Sequence, residues 1–264
     1  MSITSQSVRY GVTLAGTGGV NVVRAVLAEA REAASHGVDS VWTGQRLDHD
    51  AVGLAGLVGA QVPGIDVGVS AVPVFGRHPL LVGSQAQTAQ AATGGRFHLA
   101  VALGAPPIVE QAFGLAWERP VARLREFLTA LGPLLRGEPV EFEGELLTAR
   151  SVLPTHVPGA ARTPLLVAAM APRALRVTGE LADGTVPYLA GPRALAEHIV
   201  PRWPRRRGTA GSAGGRPGAG RGHHRPGRPP HHGRGARLLH PVRVLPQGAG
   251  AQRHRGPRRP GADR

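Results

Sequence analysis

The chain has 264 residues, 31 basic against 17 acidic, and no cysteine, which excludes disulfides, thiolate metal sites and thiol nucleophiles. Its charge is uneven, because residues 1–200 carry 15 arginines and 16 acids whereas residues 201–264 carry 16 arginines and one acid. Composition therefore separates a globular region from an arginine-rich tail, and with no secretory signal or long apolar run we expect a soluble, cytoplasmic protein without membrane spans.

Short β-like runs alternate with longer helical ones as far as residue 200. The predicted strands are Val8–Ala15, Ser40–Thr43, Ile65–Val74, Phe97–Leu103, Leu165–Ala169 and Gly184–Leu189. The predicted helices are Val23–Ala34, Ala51–Gln61, Pro79 to about Gly94, Pro120–Leu135, Pro172–Leu181 and one opening at Pro192–Val200, with a helical stretch around Val109 and a small ribbon at Val140–Thr148. About six strand–helix units in one direction predict an α/β fold of the TIM (β/α)8-barrel type, incomplete here, with a doubly wound open sheet as the alternative.

The repeating pattern stops after residue 203. Residues 204–264 consist largely of Arg, Gly, Pro, Ala and His, with too few aliphatic side chains to bury a core. We therefore divide the chain into a barrel region, 1–203, and a tail, 204–264, expected to be disordered or to come from a shifted reading frame. The tail would bind nucleic acid only non-specifically, since Trp203 is the only aromatic residue near it.

Four short motifs follow one another along the first 200 residues. They are Gly37-Val38-Asp39-Ser40-Val41-Trp42, Arg77-His78-Pro79, Gly94-Gly95-Arg96-Phe97 and Ala182-Asp183-Gly184. This ordered set resembles the luciferase-like monooxygenase superfamily, and specifically its actinobacterial oxidoreductases that depend on the deazaflavin coenzyme F420. The resemblance implies a TIM barrel with the cofactor over the carboxyl ends of the strands, and F420 as that cofactor with FMN as the alternative.

The resemblance also implies where the cofactor would lie. Such proteins often have a non-proline cis peptide in a bulge of the third strand behind the cofactor ring, which by position corresponds to Ser70-Ala71; an ordinary core strand is the alternative. The segment Ala168-Ala169-Met170-Ala171 leads into a helix and offers backbone amides to a phosphate group. Tyr188, near the end of the last predicted strand, completes the predicted cofactor contacts, and no metal site is predicted.

The loop after the second strand departs from the family. Several deazaflavin dehydrogenases have Asp-His there, whereas this chain has Gln45-Arg46, and neither side chain exchanges protons near neutral pH. We therefore predict Glu110 and His49 as the catalytic acid–base residues, with a solvated loop residue as the alternative for each. Gln45 and His78 are predicted to contact the substrate, although His78 also suits the N-cap of the third helix.

Together these features predict an oxidoreductase that transfers hydride from reduced F420 to an unsaturated or carbonyl small molecule. An FMN-dependent luciferase-like monooxygenase is the alternative within the family. From other classes, the alternatives are an inactive truncated barrel, whose open edges would leave core exposed, and nucleic-acid binding by the tail. A homodimer that covers exposed barrel surface also stays open.

Overall fold

The fold is built on one parallel sheet, seen in a computed structural model that describes residues 9–16 and 21–202 and the backbone of 237–238. Its strands and those of a small ribbon are β1 (Gly11–Leu14), β2 (Ser40–Thr43), β3 (Asp66–Pro73), β4 (Phe97–Ala102), the ribbon strands β5 (Glu141–Glu143) and β6 (Thr148–Arg150), β7 (Leu165–Ala168), β8 (Gly184–Thr185) and β9 (Arg237–Leu238). The sheet order is β1-β2-β3-β4-β7-β8-β9, with every neighbouring pair parallel. This order, sequential along the chain, is the one the predicted barrel requires.

Helices connect the strands. They are α1 (Val22–Ser35), α2 (Ala51–Gln61), α3 (Pro79–Ala92), α4 (Pro120–Leu134), α5 (Pro172–Leu181), and the consecutive α6 (Pro192–Ala194), π-helix Leu195–Ile199 and α7 (Val200–Arg202), with a further π-helix at Ile108–Ala112. The bounds of α2 and α5 match the prediction to the residue. No helix in the described part of the chain is both long and apolar enough to cross a membrane.

The starts of the first two helices are fixed by local hydrogen bonds. Asn21 Oδ1 accepts from the backbone N–H of Arg24 at 3.1 Å, and Asp50 Oδ2 accepts from that of Gly53 at 2.8 Å. These side chains satisfy amides that the first turn of a helix leaves without partners. The end of α1 is also local, because Gly37 has a φ of 75° that glycine adopts readily.

The two faces of the sheet pack against different clusters of apolar side chains. The outer face packs under the helices in one large aliphatic cluster that includes Val67, Leu99 and Val167. The inner face has a smaller cluster around Trp42, whose side chain is 2% exposed and packs with Ala100, Leu166, Val186 and the half-buried Ala71. The Trp42 ring lies directly against the backbone of β3, since a Cβ added to Gly68 would be 2.4 Å from it.

The amino-terminal ends of the strands carry paired charges. Arg9 lies 2.9 Å from Asp66 Oδ2, and His98 Nε2 lies 3.5 Å from the same oxygen. Burial raises the pKa of Asp66, but the hydrogen bond and charge of His98 and the charge of Arg9 outweigh it and hold that pKa below its ordinary value. At this end, Arg96 also donates to the carbonyl oxygens of Gly59, at 2.6 Å, and of Ile65.

The last part of the sheet differs from the prediction. A strand was predicted over Gly184–Leu189, but β8 ends at Thr185, because Pro187 has no N–H for a ladder and Leu189 turns away with a φ of 49°. The two residues of β9 lie in the predicted tail and pair with β8. No strand was predicted at β9. The remaining predictions for residues 204–264 lie outside the described residues.

Candidate active site

The carboxyl ends of the parallel strands meet on one side of the sheet, where barrel proteins build their sites. In β3 the bond between Ser70 and Ala71 is a non-proline cis peptide, at the position predicted. The pairing of β3 with β4 shifts there, between Val69 and Val72, so the strand bulges. Ser70 and Ala71 are half-buried, which leaves the bulge partly accessible at this end of the sheet.

The predicted phosphate segment runs from β7 into α5. Ala171 is the N-cap of α5 and makes no side-chain hydrogen bond. The backbone N–H groups of Arg173 and Ala174 have no acceptor among the described residues. Since Met170 and Ala171 are exposed rather than folded over this turn, the start of α5 presents uncapped amides of the kind that bind oxyanions.

Two arginines lie beside this turn. A cavity of about 360 Å³ is lined by Pro172, Arg176, Pro201 and Arg202. Arg202 is held by the carbonyl oxygen of His198 at 3.0 Å, while His198 Nε2 donates to the carbonyl oxygen of Met170 at 3.0 Å. The last helical segment thereby brings positive charge next to the amides of α5.

Large apolar side chains are exposed at the ends of β7 and β8. Met170 is 42% exposed, Tyr188 76% and Leu189 73%. Single exposed apolar residues are ordinary, but several at the mouth of one sheet suit a surface that a flat ligand covers. Tyr188, a predicted cofactor contact, therefore lies at this mouth with its ring accessible.

Gln45 holds its own loop together. Its Nε2 donates to the carbonyl oxygen of His49 at 2.9 Å, and its Oε1 accepts from the N–H of Ala51 at 3.3 Å. The same Oε1 accepts from Arg77 at 2.8 Å, which joins this loop to the one after β3. The structure thus gives Gln45 a structural role, and its contact with a substrate stays a prediction.

His78 is the N-cap of α3, as the alternative interpretation proposed. Its Nδ1 accepts from the N–H of Leu80 at 3.3 Å, and its Nε2 donates to the carbonyl oxygen of Thr148 at 2.9 Å. A backbone N–H can only donate and a carbonyl can only accept, so in this arrangement Nδ1 is the acceptor and Nε2 the donor. Both ring nitrogens are occupied in this arrangement, and a substrate contact by His78 remains a prediction.

The two predicted acid–base residues lie in different surroundings. Glu110 is exposed on the π-helix after β4 and makes no hydrogen bond or ion pair with the described residues. His49 is 14% exposed, and its Nδ1 lies 3.1 Å from Asp48 Oδ1, at ion-pair distance but without the alignment of a hydrogen bond. Asp48 Oδ1 is also 3.0 Å from Arg46 Nε, and the hydrogen bond from Arg46 lowers the pKa of Asp48.

His49 lines a cavity of about 240 Å³ at the ends of β1 and β2. The apolar part of its lining comes from Leu14, Ala15, Val26 and Leu54, and the rest from Thr13, Thr43, Gly44, Arg46 and His49. Its walls come from two strands, two helices and the loop after β2. No sequence pattern predicted this cavity, because the residues share no spacing along the chain.

The family is established by comparison. The luciferase-like monooxygenase family model matches residues 5–221, and the chain belongs to this family. A relative from the actinobacterium Nakamurella multipartita, the F420-dependent glucose-6-phosphate dehydrogenase, is 32% identical over 173 residues, which are 61% of this chain and 50% of that protein. The chain spans about half the length of the curated relatives it matches.

Solved structures confirm the barrel type of the fold. The coenzyme F420-dependent tetrahydromethanopterin reductase of Methanopyrus kandleri superposes with a TM-score of 0.63 and 21% identity, over 75% of this chain and 60% of that one. The oxygenating constituent of 3,6-diketocamphane monooxygenase from Pseudomonas putida, in complex with FMN, gives 0.59 and 17%, over 72% and 60%. At these identities the likeness shows a shared fold and no more. This shared fold, with the sequential strand order of the sheet, excludes the alternative of a doubly wound open sheet.

Proposed function

We propose that this protein is an oxidoreductase that uses reduced F420 to transfer hydride to an unsaturated or carbonyl small molecule. The observation that carries the proposal is that the half-buried bulge of β3 and the uncapped amides after β7 lie at the same end of one sheet. β3 and β7 are both neighbours of β4, so Ser70-Ala71 and the start of α5 are two strands apart. That spacing suits a ligand with a flat ring and an anionic tail.

The residues present fit such a ligand. The ring would lie against Ser70 and Ala71, with Tyr188 and Met170 as accessible apolar contacts. The phosphate would meet the amides of Arg173 and Ala174, where the helix dipole and Arg176 favour negative charge. The cofactor supplies the hydride, and the protein contributes binding, orientation and exclusion of water.

Proton transfer would fall to His49 rather than to Glu110. Reduction of a carbonyl needs a proton at the oxygen as well as hydride at carbon, and imidazole titrates near neutral pH. His49 is largely buried in a cavity wall, with an acid beside Nδ1. Glu110 lines neither of the two cavities described above, so the geometry favours His49 for this role.

Cofactor binding provides the test. Titration of the purified protein with F420 and, separately, with FMN is expected to show saturable binding of F420 and weaker binding of FMN. Tight binding of FMN alone would make the protein a flavin monooxygenase of the same family. Saturable binding of neither would support the inactive-barrel alternative.

A variant that lacks two positive charges tests where the phosphate binds. Arg176→Ala with Arg202→Ala is expected to weaken F420 binding at least about tenfold, since each removes a charged hydrogen-bond donor. Arg31→Ala, on the exposed side of α1, is the matched control. Because the arginines of the tail attract any anion, the titrations are repeated at high salt, where only this non-specific part should vanish.

A further inference from the structure

The loops at the carboxyl ends of the strands carry an inference that goes beyond the proposed function and does not depend on it. Of the twelve large apolar side chains that are exposed in the described chain, six lie on these loops. We propose that this end of the sheet binds the surface of a membrane that contains anionic lipids. Apolar side chains would enter the lipid interface, and arginines would contact the phosphate head groups.

Four of the six apolar side chains are not used by the proposed function. Met170 and Tyr188 are the proposed contacts of the cofactor. The remaining four, which we call the apolar rim, are Leu47, Ile108, Leu115 and Leu189. Single exposed apolar side chains are ordinary on a protein surface, but a group of them at one end of a molecule marks an interaction surface.

The apolar rim is wider than the ring of one cofactor. Leu47 follows β2, Ile108 and Leu115 follow β4, and Leu189 follows β8. The strands β2 and β8 are four positions apart in the sheet, and at about 4.8 Å per strand that distance is roughly 19 Å along the sheet. A flat ring that lies against β3 leaves most of this width uncovered. A partner with a broad apolar surface therefore fits the rim, and a lipid interface is such a surface.

The positive charge at this end favours an anionic surface. Arg173 is exposed at the start of α5 and makes no ion pair within the described chain. The continuous described chain ends close by, because Arg202 and Pro172 line the same cavity. Residues 201–264, which begin at this point, carry 16 arginines and one acid. Basic segments beside an interfacial apolar surface are attracted to anionic lipids, so the charge of the tail supplements the apolar rim.

Carboxylates at this end do not cancel that charge. Glu110 and Glu118 are exposed and make no ion pair within the described residues. The other carboxylates of these loops lie within ion-pair distance of an arginine, namely Asp48 with Arg46, Asp50 with Arg77, Glu145 with Arg119 and Glu197 with Arg193. Two unpaired carboxylates are outnumbered by Arg173 and the 16 arginines of residues 201–264, so the net charge of this end with the tail is positive.

The apolar rim distinguishes a lipid partner from a nucleic-acid partner. Arginine-rich segments bind any polyanion, including DNA and RNA, because binding releases counterions. Aliphatic side chains gain free energy when they leave water for the lipid interface, whereas a phosphate backbone offers them no apolar surface. Substitutions in the rim should therefore weaken membrane binding and leave any binding of nucleic acid by the tail unchanged.

Vesicle sedimentation with the full chain, without cofactor, provides the first test. Vesicles of phosphatidylcholine alone are compared with vesicles of phosphatidylcholine and phosphatidylglycerol in equal parts. The rim variant is Leu47→Asn with Leu189→Asn, since asparagine tolerates the positive φ of position 189. The matched control is Val152→Asn with Leu153→Asn, on the segment between β6 and β7, and all four side chains are at least 73% exposed.

We expect the wild-type protein and the control variant to bind the mixed vesicles equally, and the rim variant at least about tenfold more weakly. High salt should weaken the binding of all three proteins and preserve the difference between the two variants, because salt screens charges and not apolar contacts. Equal binding by the rim variant and the control variant would show that the tail binds polyanions without the rim and would overturn the proposal. No binding of the mixed vesicles by the wild-type protein would also overturn it.

A second test locates the contact on the molecule. Because the chain has no cysteine, Leu115→Cys and Leu153→Cys each offer a single attachment site for an environment-sensitive dye. On the mixed vesicles, the emission of the dye at position 115 should shift to the blue and that of the dye at position 153 should not. A shift at both positions, at position 153 alone or at neither would contradict the proposal. Thermal unfolding checks the folding of each variant, and F420 titration without vesicles reports separately on the proposed function.

Discussion

The two ends of the parallel strands use their polar groups in opposite ways. At the amino-terminal ends, Arg9, Asp66 and His98 meet within 3.5 Å, and Arg96 donates to backbone carbonyl oxygens. At the carboxyl ends, the amides at the start of α5 are uncapped, His49 Nε2 has no partner in the described chain, and Tyr188 is exposed. One end is closed by internal contacts, and the other has groups without partners in the described chain that a ligand can bind.

Because of this difference, we expect stability and activity to depend on different residues along the strands. Substitutions at the carboxyl ends should change binding or rate and leave unfolding nearly unchanged. Substitutions at the inner core or at the amino-terminal ends should do the reverse. Four experiments test that separation.

The largest effect is expected for His49→Gln. Loss of a positioned acid–base group lowers rates by about 10²–10⁴-fold, and glutamine cannot supply a proton at neutral pH. The measurement is kcat for ketone reduction with reduced F420. Glu110→Gln should lower kcat far less, and the reverse order would transfer the acid–base role to Glu110.

Gly68→Ala should lower the stability by about 1–3 kcal/mol, the usual range for overpacking a core. The new methyl group would meet the buried Trp42 ring at 2.4 Å, and the ring is packed in one cluster with Ala100 and Leu166. Chemical denaturation gives the change in unfolding free energy. Gly132→Ala is the control, because an added Cβ there would be 3.9 Å from the nearest neighbour, a side-chain atom of Arg136. Equal losses of unfolding free energy in the two variants would show that the Trp42 ring has room to move.

Tyr188→Ser should weaken F420 binding about fivefold, or roughly 1 kcal/mol, the scale of one aromatic stacking contact. The side chain is 76% exposed, so the melting temperature should not change. Tyr10→Ser, at the opposite end of the sheet and 70% exposed, serves as the control. Unchanged F420 affinity in Tyr188→Ser would remove this residue from the cofactor site.

The smallest effect is a pH dependence at the amino-terminal ends. The pKa of Asp66 lies below its ordinary value, so its ionised form stabilises the fold above the unfolded pKa of about 3.9. That contribution is lost as the pH falls through the lower folded value. The difference in unfolding free energy between wild type and Asp66→Asn should therefore be present at about pH 5 and shrink below about pH 4.

The control for this pH series is Glu197→Gln. Glu197 is exposed and 3.8 Å from Arg193, and an exposed pair of this kind contributes little. A gap between wild type and Asp66→Asn that stays constant down to pH 2 would show that the Arg9–Asp66–His98 contacts do not stabilise the fold.

The regular elements could be predicted from the sequence because their signals are local. The bounds of β2, α2 and α5 follow from apolar runs and from Asp50 and Pro172 at the helix starts. The apolar run predicted too long a strand at β8, although Pro187, which cannot donate to a strand ladder, was a local signal against it. A strand needs a partner as well as a suitable sequence, and β8 pairs with its neighbours at only two positions.

The residues of the candidate site also differ in whether a local signal along the chain could predict them. The Ser70–Ala71 bond and the start of α5 were predicted because the family motifs locate them along the chain. The roles of Gln45 and Arg202 were not, since each depends on a contact with another loop or helix. Arg176 could have been found from the sequence, because its spacing from Pro172, one helical turn after the predicted helix start, places it near the first turn of α5.

Gly44 has a consequence for how this protein could change its ligand. It stands between the small cavity and the bulge of β3, has no positive φ, and would accept a methyl group at ordinary van der Waals distance. Variants with alanine or serine there should fold normally while narrowing the space between the cavity and the carbonyl oxygen of Ser70. The space beside the bulge of β3 can thus be changed at one backbone position, independently of the residues that hold the barrel together.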